Sequence, residues 1–309
     1  MAPTFADVLA AAARIAPFVH RTPVLTSTSV DEWAGARLFL KGEHLQRTGA
    51  FKYRGATNAV QMLSGDAAAR GVATHSSGNH GAALALAART RGVDAYVVMP
   101  AGASPVKRAA VERYGASVIE CENTPTSRER ALRAVVARTG AAAVHPYDDD
   151  RVIAGAGTAA LELMQDVPDL DVVIAPVGGG GLCSGTALAA HGCNGAVRVL
   201  GGEPALADDA ARSLTTGELQ PPRPPATIAD GLLTGLSERT FGVVREHVEQ
   251  IVTVTEDEIV EAMHVVWERT KQVIEPSAAV SVAAARAARL DGARVGVILS
   301  GGNTGVVDR

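Results

Sequence analysis

Short apolar runs that favour β-strands alternate along this chain with stretches that favour helices. The strand candidates are, in order, ARLFLK, GVATHSS, DAYVVMP, ASVIECE, DVVIAPVG, RVLGGEP, IVTVTE and RVGVILSGG. Helical stretches lie between them, as at residues 78–92, 104–115 and 126–140. Several of the strands are apolar almost throughout, which is expected where helices cover both faces of a sheet. The pattern predicts an α/β fold with mostly parallel sheet.

Length, charge and cysteine content narrow the class of protein further. A chain of 309 residues suits one large domain or two lobes, and a net charge of −4 gives no reason to expect a nucleic-acid partner. The three cysteines show no Cys-x-x-Cys spacing, which argues against a disulfide framework and against zinc. The N-terminal segment has no basic signal-peptide region, and no apolar run approaches the ~18 residues of a membrane span. We therefore expect a cytoplasmic protein without a membrane partner.

Four consecutive glycines, Gly178–Gly181, follow one strand candidate and precede a helical stretch. Without Cβ atoms, the backbone N–H groups of such a loop can approach an anion closely, and the helix N-terminus adds its dipole. A flexible turn is the alternative, but a short connection rarely needs four glycines. The segment matches neither the Gly-x-Gly-x-x-Gly fingerprint nor the Walker A loop. We interpret it as a phosphate-binding loop.

Two further strand candidates end in small polar loops. Residues 76–80, Ser-Ser-Gly-Asn-His, open a helix and can bind a carboxylate, although plain N-capping explains them equally well. Residues 300–303, Ser-Gly-Gly-Asn, follow the last strand candidate. Ligands of open α/β sheets bind beyond the carboxyl ends of the strands. We expect these two loops and the glycine loop to converge on one crevice.

Lysine is scarce in this chain, although arginine is common. The four lysines are Lys41, Lys52, Lys107 and Lys271. Lys52 stands in TGAFKYRGA, with an aromatic residue before it and glycines on either side. Chemistry that needs a primary amine has only these four candidates.

Two other motifs are ambiguous. In GGEPALADDA, the carboxylates of Glu203 and Asp209 and the backbone carbonyl of Ala207 suit a hard divalent cation. From the spacing alone, an acidic first helical turn is the simpler interpretation. GAGTAALE, residues 155–162, matches Gly-x-Gly-x-x-Ala weakly, and we interpret it as the start of a helix.

A scarce lysine, a phosphate-binding loop and two polar loops suggest a pyridoxal phosphate (PLP) site. The chain resembles the fold-type II PLP enzymes, specifically the serine racemase and threonine/serine dehydratase group, over nearly its whole length. The motifs of the resemblance are, in the family's order, KGEHLQRTGAFKYRGA, THSSGNHG, VIAGAGTAALE, PVGGGG, EPALADD, TIADG, TVTEDEI, WERTKQVIEPSAA and LSGGN. It implies a tryptophan synthase β-like fold with two lobes, each a mostly parallel sheet flanked by helices, and a homodimer. Residues 1–65 and 145–309 would form the large PLP-binding domain, and residues 66–144 a small mobile domain.

The resemblance also implies a role for individual residues. Lys52 would hold the cofactor covalently and act as a catalytic base, and Phe51 would pack beside the cofactor ring. Asn79 would donate to the 3′-oxygen of the ring, Gly178–Gly181 would bind the phosphate, and Ser300 would face the pyridine nitrogen. The substrate would be bound by Ser76, Ser77, Gly78, Asn79, His80 and Arg128. A divalent metal, Mg²⁺ or else Ca²⁺ or Mn²⁺, would be held by Glu203, Ala207 and Asp209.

The activity that the resemblance implies is a lyase reaction of amino-acid metabolism. PLP-dependent β-elimination would convert a β-hydroxy amino acid such as L-threonine, L-serine or 3-hydroxyaspartate to a 2-oxo acid and ammonia. The alternative is an isomerase, serine racemase, with Lys52 and Ser77 as bases on opposite faces of the cofactor. A more remote alternative is a nucleotide-binding protein that uses the glycine loop for pyrophosphate, which leaves TGAFKYRGA unexplained.

Overall fold

The chain folds into two sheets of mostly parallel strands, with helices on both faces of each sheet. The structure is a computed structural model and describes residues 3–76, 78–103, 105–224 and 226–305. The strands of this part of the chain are β1 (Val24–Leu25), β2 (Arg37–Lys41), β3 (Val72–His75), β4 (Ala95–Pro100), β5 (Ser117–Cys121), β6 (Ala142–Ala143), β7 (Val172–Pro176), β8 (Arg198–Pro204), β9 (Gln250–Val254) and β10 (Arg294–Ile298). All eight predicted strands are present. The two-residue strands β1 and β6 were not predicted, because two residues are too few to show a period.

The helices occupy the connections between the strands. They are α1 (Phe5–Ile15), α2 (Thr28–Ala34), α3 (Lys52–Gln61), α4 (Gly65–Ala69), α5 (Asn79–Arg91), α6 (Pro105–Arg113), α7 (Pro125–Thr139), α8 (Asp150–Asp166), α9 (Gly181–Cys193), α10 (Asp209–Thr216), α11 (Glu238–His247), α12 (Glu256–Thr270) and α13 (Pro276–Ala287). Within the described ranges, no helix combines the length and the apolar character that a membrane span needs.

The two sheets draw on different parts of the chain. The larger has the strand order β1-β2-β10-β7-β8-β9, and only β1 pairs in the antiparallel sense. The smaller has the order β5-β4-β3-β6 and is parallel throughout. Its strands all lie within residues 66–144, the range predicted for the small domain. The exact domain boundaries and the mobility of the small domain stay predictions.

Helix α3 lies between the two sheets. Its buried residues Tyr53, Ala56 and Val60 pack in one core cluster with Val72 of β3 and Val97 of β4. The helix therefore contributes to the core of the smaller sheet, although the sequence places it in the large domain.

The apolar strands of the larger sheet are buried on both faces. Val173 and Ala175 of β7 lie in the core cluster that contains α8 and α9. Val172 and Ile174 of the same strand lie in the cluster that contains α12 and α13. Because successive side chains of a strand point to opposite faces, a strand between two helical layers must be apolar at every position.

The interpretation of residues 155–162 as a helix start is wrong. Helix α8 begins at Asp150, and the side chain of Asp149 accepts from the Arg151 backbone N–H at its N-terminus. The glycines serve helix packing instead. A Cβ on Gly155 would lie 2.7 Å from the Cα of Gly55 in α3, and one on Gly157 would lie 2.6 Å from the Gly185 carbonyl of α9.

A buried ion network anchors α3 to the larger sheet. The Arg54 guanidinium is fully buried, and it bonds the Glu43 carboxylate at 2.7 Å and the Glu162 carboxylate at 2.8 Å. Lys41, at the end of β2, bonds the second oxygen of Glu162 at 2.7 Å. The two cations and two carboxylates compensate one another, as buried charges require.

We expect Arg54→Ala to lower the free energy of unfolding by about 3–5 kcal/mol, because it leaves two buried carboxylates without their guanidinium partner. The matched control is Arg133→Ala, which removes an exposed pair with Glu129 and should cost no more than about 0.5 kcal/mol. Urea unfolding of both variants measures the difference. Equal losses for the two arginines would contradict a structural role for the network.

Candidate active site

A cavity of about 260 Å³ lies between the two sheets, beyond the carboxyl ends of β3, β7 and β10. The predicted site residues that line it are Phe51, Lys52, Ser76, Gly78, Asn79, His80, Arg128, Gly178, Gly179, Gly180, Gly181 and Ser300. The structure therefore brings the three predicted loops to one place. Ser77 lies outside the described residues.

The four glycines form a tightly packed loop at the start of α9. A Cβ on Gly179 would lie 2.4 Å from the ring of Tyr147, and one on Gly180 would lie 2.5 Å from Leu236. Gly180 also has φ +83°, a left-handed conformation that favours glycine. The first amide groups of a helix have no acceptor within it, so they are available to an anion. This buried loop at a helix N-terminus fits the phosphate group of PLP.

Lys52 is the first residue of α3, and its amine reaches the cavity. The Nζ atom donates to the Pro146 carbonyl at 2.9 Å and lies 5.0 Å from the centre of the Phe51 ring. Burial lowers the pKa of Lys52 to about 8, although the Glu275 carboxylate opposes the shift. A lowered pKa raises the share of free amine near neutral pH, which suits a nucleophile or a base.

Asn79 and Ser300 both line this cavity. The amide nitrogen of Asn79 donates to both oxygens of Glu275, at 2.9 Å and 3.0 Å. Ser300 is buried, and its carbonyl accepts from the Phe51 backbone N–H at 2.9 Å. That bond fixes the strand end that carries Ser300 against the segment that carries Lys52.

Several residues of the cavity were not predicted from the sequence. Glu275 is buried and stands at the N-cap position of α13. The only sequence signal for it is a glutamate that precedes a proline at a helix start, in IEPSAA. Tyr147 also lines the cavity, and no motif in the sequence indicates it. Lys107 of α6 and Asp230 form an ion pair between the two halves of the cavity wall.

Burial disfavours the protonated form of three histidines at or next to the cavity. His75 lines the cavity, and the His145 ring packs edge-on between His75 and Tyr147. Burial lowers the pKa of His145 to about 4, and it lowers the pKa of His80 well below the usual value. The sequence assigned His80 a place in the substrate loop, and the structure puts its Nε2 atom 3.3 Å from the Val144 carbonyl.

Arg128 of α7 enters the cavity wall, and no acidic side chain of the described residues pairs with it there. Its terminal nitrogen donates to the Asn123 side chain, while its Nε atom is buried and has no hydrogen-bond partner in the described part of the structure. Arg128 also lowers the pKa of His75, after burial, which is the larger cause. An arginine with an unpaired N–H group can donate hydrogen bonds to a carboxylate of a ligand.

Glu203 and Asp209 lie together outside this cavity. The Glu203 carboxylate accepts from the backbone N–H groups of Ala210 at 2.9 Å and Ala211 at 2.8 Å, and burial raises its pKa to about 8. Asp209 Oδ2 is buried without a partner in the described structure, and Ala207 lies in the preceding short helix. Buried carboxylates are oxygen ligands of the kind that a divalent metal prefers. The described residues contain no cluster of three His, Cys, Asp or Glu side chains arranged for a metal ion, and the predicted set has only two.

The family model for "Pyridoxal-phosphate dependent enzyme" matches residues 15–301. The chain belongs to this family. It is 47% identical over 306 residues to the serine racemase of Dictyostelium discoideum, covering 97% of this chain and 94% of the relative. It is 48% identical over 303 residues to a beta-hydroxyaspartate dehydratase of Paracoccus denitrificans (strain Pd 1222), covering 97% and 96%. The crystal structure of a threonine deaminase from T.th. matches with a TM-score of 0.92 and 44% identity, covering 99% of this chain and 100% of the other.

Membership of this family supports the predicted fold and the predicted cofactor. The fold is that of the fold-type II PLP enzymes, as the sequence predicts, and the cofactor of the family is PLP. In this chain Lys52 would hold PLP, the glycine loop would hold its phosphate, and Phe51, Asn79 and Ser300 would border its ring. These individual assignments stay predictions that the cavity geometry supports.

In the cofactor-free protein, acylation of Lys52 should rise with pH to half its maximum near pH 8, because burial lowers the pKa of the amine to about 8. The measurement is a short pulse of reagent across a pH series, followed by peptide mass spectrometry. In Glu275→Gln the midpoint should fall further, since the carboxylate that raises the pKa is gone. A midpoint at the ordinary lysine value of about 10.4 would contradict the buried position of the amine.

Proposed function

We propose that the protein is a PLP-dependent dehydratase that converts a β-hydroxy amino acid, such as L-threonine, L-serine or 3-hydroxyaspartate, to a 2-oxo acid and ammonia. The observation that carries the proposal is the buried amine of Lys52 in one cavity with a phosphate-binding loop and a polar loop suited to a carboxylate. The names of the Paracoccus relative and of the threonine deaminase structure support it. A nucleotide-binding role leaves the buried amine without a purpose.

Four residues of the cavity have a task in this reaction. When bound, PLP supplies a conjugated ring that accepts the electron pair left at the α-carbon. The Lys52 amine takes the α-proton, for which a pKa near 8 is well matched. The loop of Ser76, Gly78 and Asn79, at the start of α5, binds the α-carboxylate of the substrate. The β-hydroxyl leaves as water by gaining one proton, which balances the α-proton that Lys52 removes. Hydrolysis of the released enamine then consumes one water and gives the 2-oxo acid and ammonia, so the net change is amino acid to 2-oxo acid and ammonia.

Purified protein should show a visible absorption band and should form 2-oxo acid and ammonia from at least one of the three substrates. Lys52→Ala should remove the band and lower kcat by at least about 10²–10⁴-fold, because it removes both the attachment point and the base. The matched control is Lys271→Ala, which changes an exposed lysine outside the cavity. A colourless protein that binds a dinucleotide would overturn the proposal.

Serine racemase is the second candidate function. Racemisation needs a base on each face of the cofactor. Ser77, within the sequence of the predicted substrate loop, is a suitable second base. The serine racemase of Dictyostelium discoideum, at 47% identity, favours keeping this candidate. The place of Ser77 opposite Lys52 stays a prediction.

Ser77→Ala should abolish interconversion of L- and D-serine while 2-oxo acid formation from L-serine persists, because only racemisation needs the second base. The two products are measured in the same reaction mixture, by chiral chromatography and by a 2-oxo acid assay. Racemisation that survives the change would exclude Ser77 from this role.

Arg128 favours a dicarboxylic substrate within the proposed class. We expect Arg128→Gln to raise the KM for 3-hydroxyaspartate about tenfold or more and the KM for serine by less than about twofold, because only the former has a second carboxylate. Arg133→Gln, on the exposed side of the same helix, is the matched control. Equal effects on both substrates would place Arg128 at the carboxylate that they share.

We further propose a divalent cation at Glu203, Ala207 and Asp209, a homodimeric assembly and a cytoplasmic location. The burial of the two carboxylates and the Asp209 Oδ2 atom, which has no hydrogen-bond partner in the described residues, support the cation site. The assembly and the location rest on the resemblance and on the sequence composition alone.

A further inference from the structure

Glu275 is a buried carboxylate in the wall of the active-site cavity, and the proposed reaction gives it no task. The residue is 4% exposed and stands at the N-cap of α13. It accepts from the amide nitrogen of Asn79 at 2.9 Å and 3.0 Å and from the backbone N–H of Asn303 at 3.1 Å. Asn79 belongs to the helix that follows the small sheet's strand β3, so these bonds join the two halves of the molecule.

The other end of the Asn79 amide is held as well. Its Oδ1 atom accepts from the side-chain nitrogen of Asn303 at 2.9 Å, and that nitrogen also donates to the Thr48 carbonyl at 2.7 Å. A carbonyl can only accept, so the Thr48 bond requires the Asn303 nitrogen, and not its oxygen, to face this way. Asn79 must then turn its oxygen toward Asn303 and its nitrogen toward Glu275.

Glu275 completes this directional chain because an ionised carboxylate is an acceptor without a donor. Exchange of the two ends of the Asn79 amide would set its oxygen against the carboxylate and its nitrogen against the Asn303 amino group. Both contacts would be repulsive. Bonds that are arranged head to tail in this way reinforce one another.

Two glycines next to the chain show how closely it is packed. A Cβ on Gly49 would lie 2.5 Å from the Asn303 side-chain oxygen, and Gly49 has φ +71°. A Cβ on Gly301 would lie 2.6 Å from a carboxylate oxygen of Glu275. Gly49 of TGAFK and Gly301 of LSGGN therefore leave the space that the side chains of the hydrogen-bond chain occupy.

We propose that Glu275 is a positioning residue that fixes the amide orientation of Asn79, so that Asn79 presents an N–H group and not its oxygen to the ring oxygen of PLP. One N–H of Asn79 bonds the carboxylate, and the second is available to the cofactor. The inference rests on the proposed function, because it assumes that Asn79 borders the PLP ring. Glu275 acts through Asn79 and does not itself touch the reacting atoms.

Glu275→Gln tests the proposal with little change of shape. A glutamine can donate as well as accept, so the chain loses its single direction and Asn79 can turn its oxygen to the cavity. We expect the dissociation constant of PLP from the holoenzyme to rise about tenfold and the maximum of the visible band to shift, since one hydrogen bond to the ring oxygen is lost. Asn303→Ala leaves the Glu275 carboxylate in place to orient Asn79, so it should shift the band less than Glu275→Gln does.

A double-mutant cycle separates positioning from general support of the fold. The measurement is made well above pH 8, where the Lys52 amine is unprotonated with or without the Glu275 charge. In the Asn79→Ala background, Glu275→Gln should then change the PLP dissociation constant by less than about twofold, because the group through which it acts is absent. Glu258→Gln is the matched control, since that glutamate is an exposed capping-box carboxylate at the start of α12. It should leave both the dissociation constant and the band unchanged.

The outcomes separate this inference from the proposed function. Additive effects of Glu275→Gln and Asn79→Ala, or a Glu275→Gln holoenzyme with an unchanged band and dissociation constant, overturn the positioning role and leave the dehydratase proposal intact. A wild-type protein that shows no PLP band overturns the proposed function, and the positioning role with it.

Discussion

The active site depends on the burial of one amine at the start of a helix that a buried ion network anchors. Lys52 opens α3, and two residues later Arg54 binds the carboxylates of Glu43 and Glu162 in the interior. On its other side, the segment before Lys52 pairs with the last loop through the bridge between Ala50 and Gly301. A lysine has a long, flexible side chain, so its amine can hold a fixed place only if its backbone is fixed first.

The cavity that receives this amine carries a formal excess of positive charge. Its lining contains three cations, Lys52, Lys107 and Arg128, and two carboxylates, Asp230 and Glu275. Burial lowers the pKa values of its histidines, His75 and His80, and so disfavours further positive charge. A phosphate-bearing cofactor and a substrate carboxylate both suit such a cavity, and PLP enzymes bring the two together. The charge of the site thus agrees with the family to which the chain belongs.

The fold alone does not select the reaction within this family. A serine racemase and a beta-hydroxyaspartate dehydratase are similar to this chain at 47% and 48% identity over nearly the same length. The same cofactor serves both reactions, so the outcome depends on a few side chains that add a second base or a second carboxylate site. In the functions that we propose, this choice is made at position 77 and at Arg128.

The sequence by itself determined the parallel α/β fold and the three loops at strand ends, and its resemblance to the family predicts Lys52 as the residue that holds the cofactor. These features are local, because an apolar run, a glycine tetrad and a helix start each show themselves within a few residues. Only the tertiary structure decided that Glu275 meets Asn79, which is 196 residues away, and that Tyr147 covers Gly179. It also showed that the glycines of residues 155–162 pack helices together. Such contacts depend on how distant elements meet in space, and no short-range pattern of residue types records that.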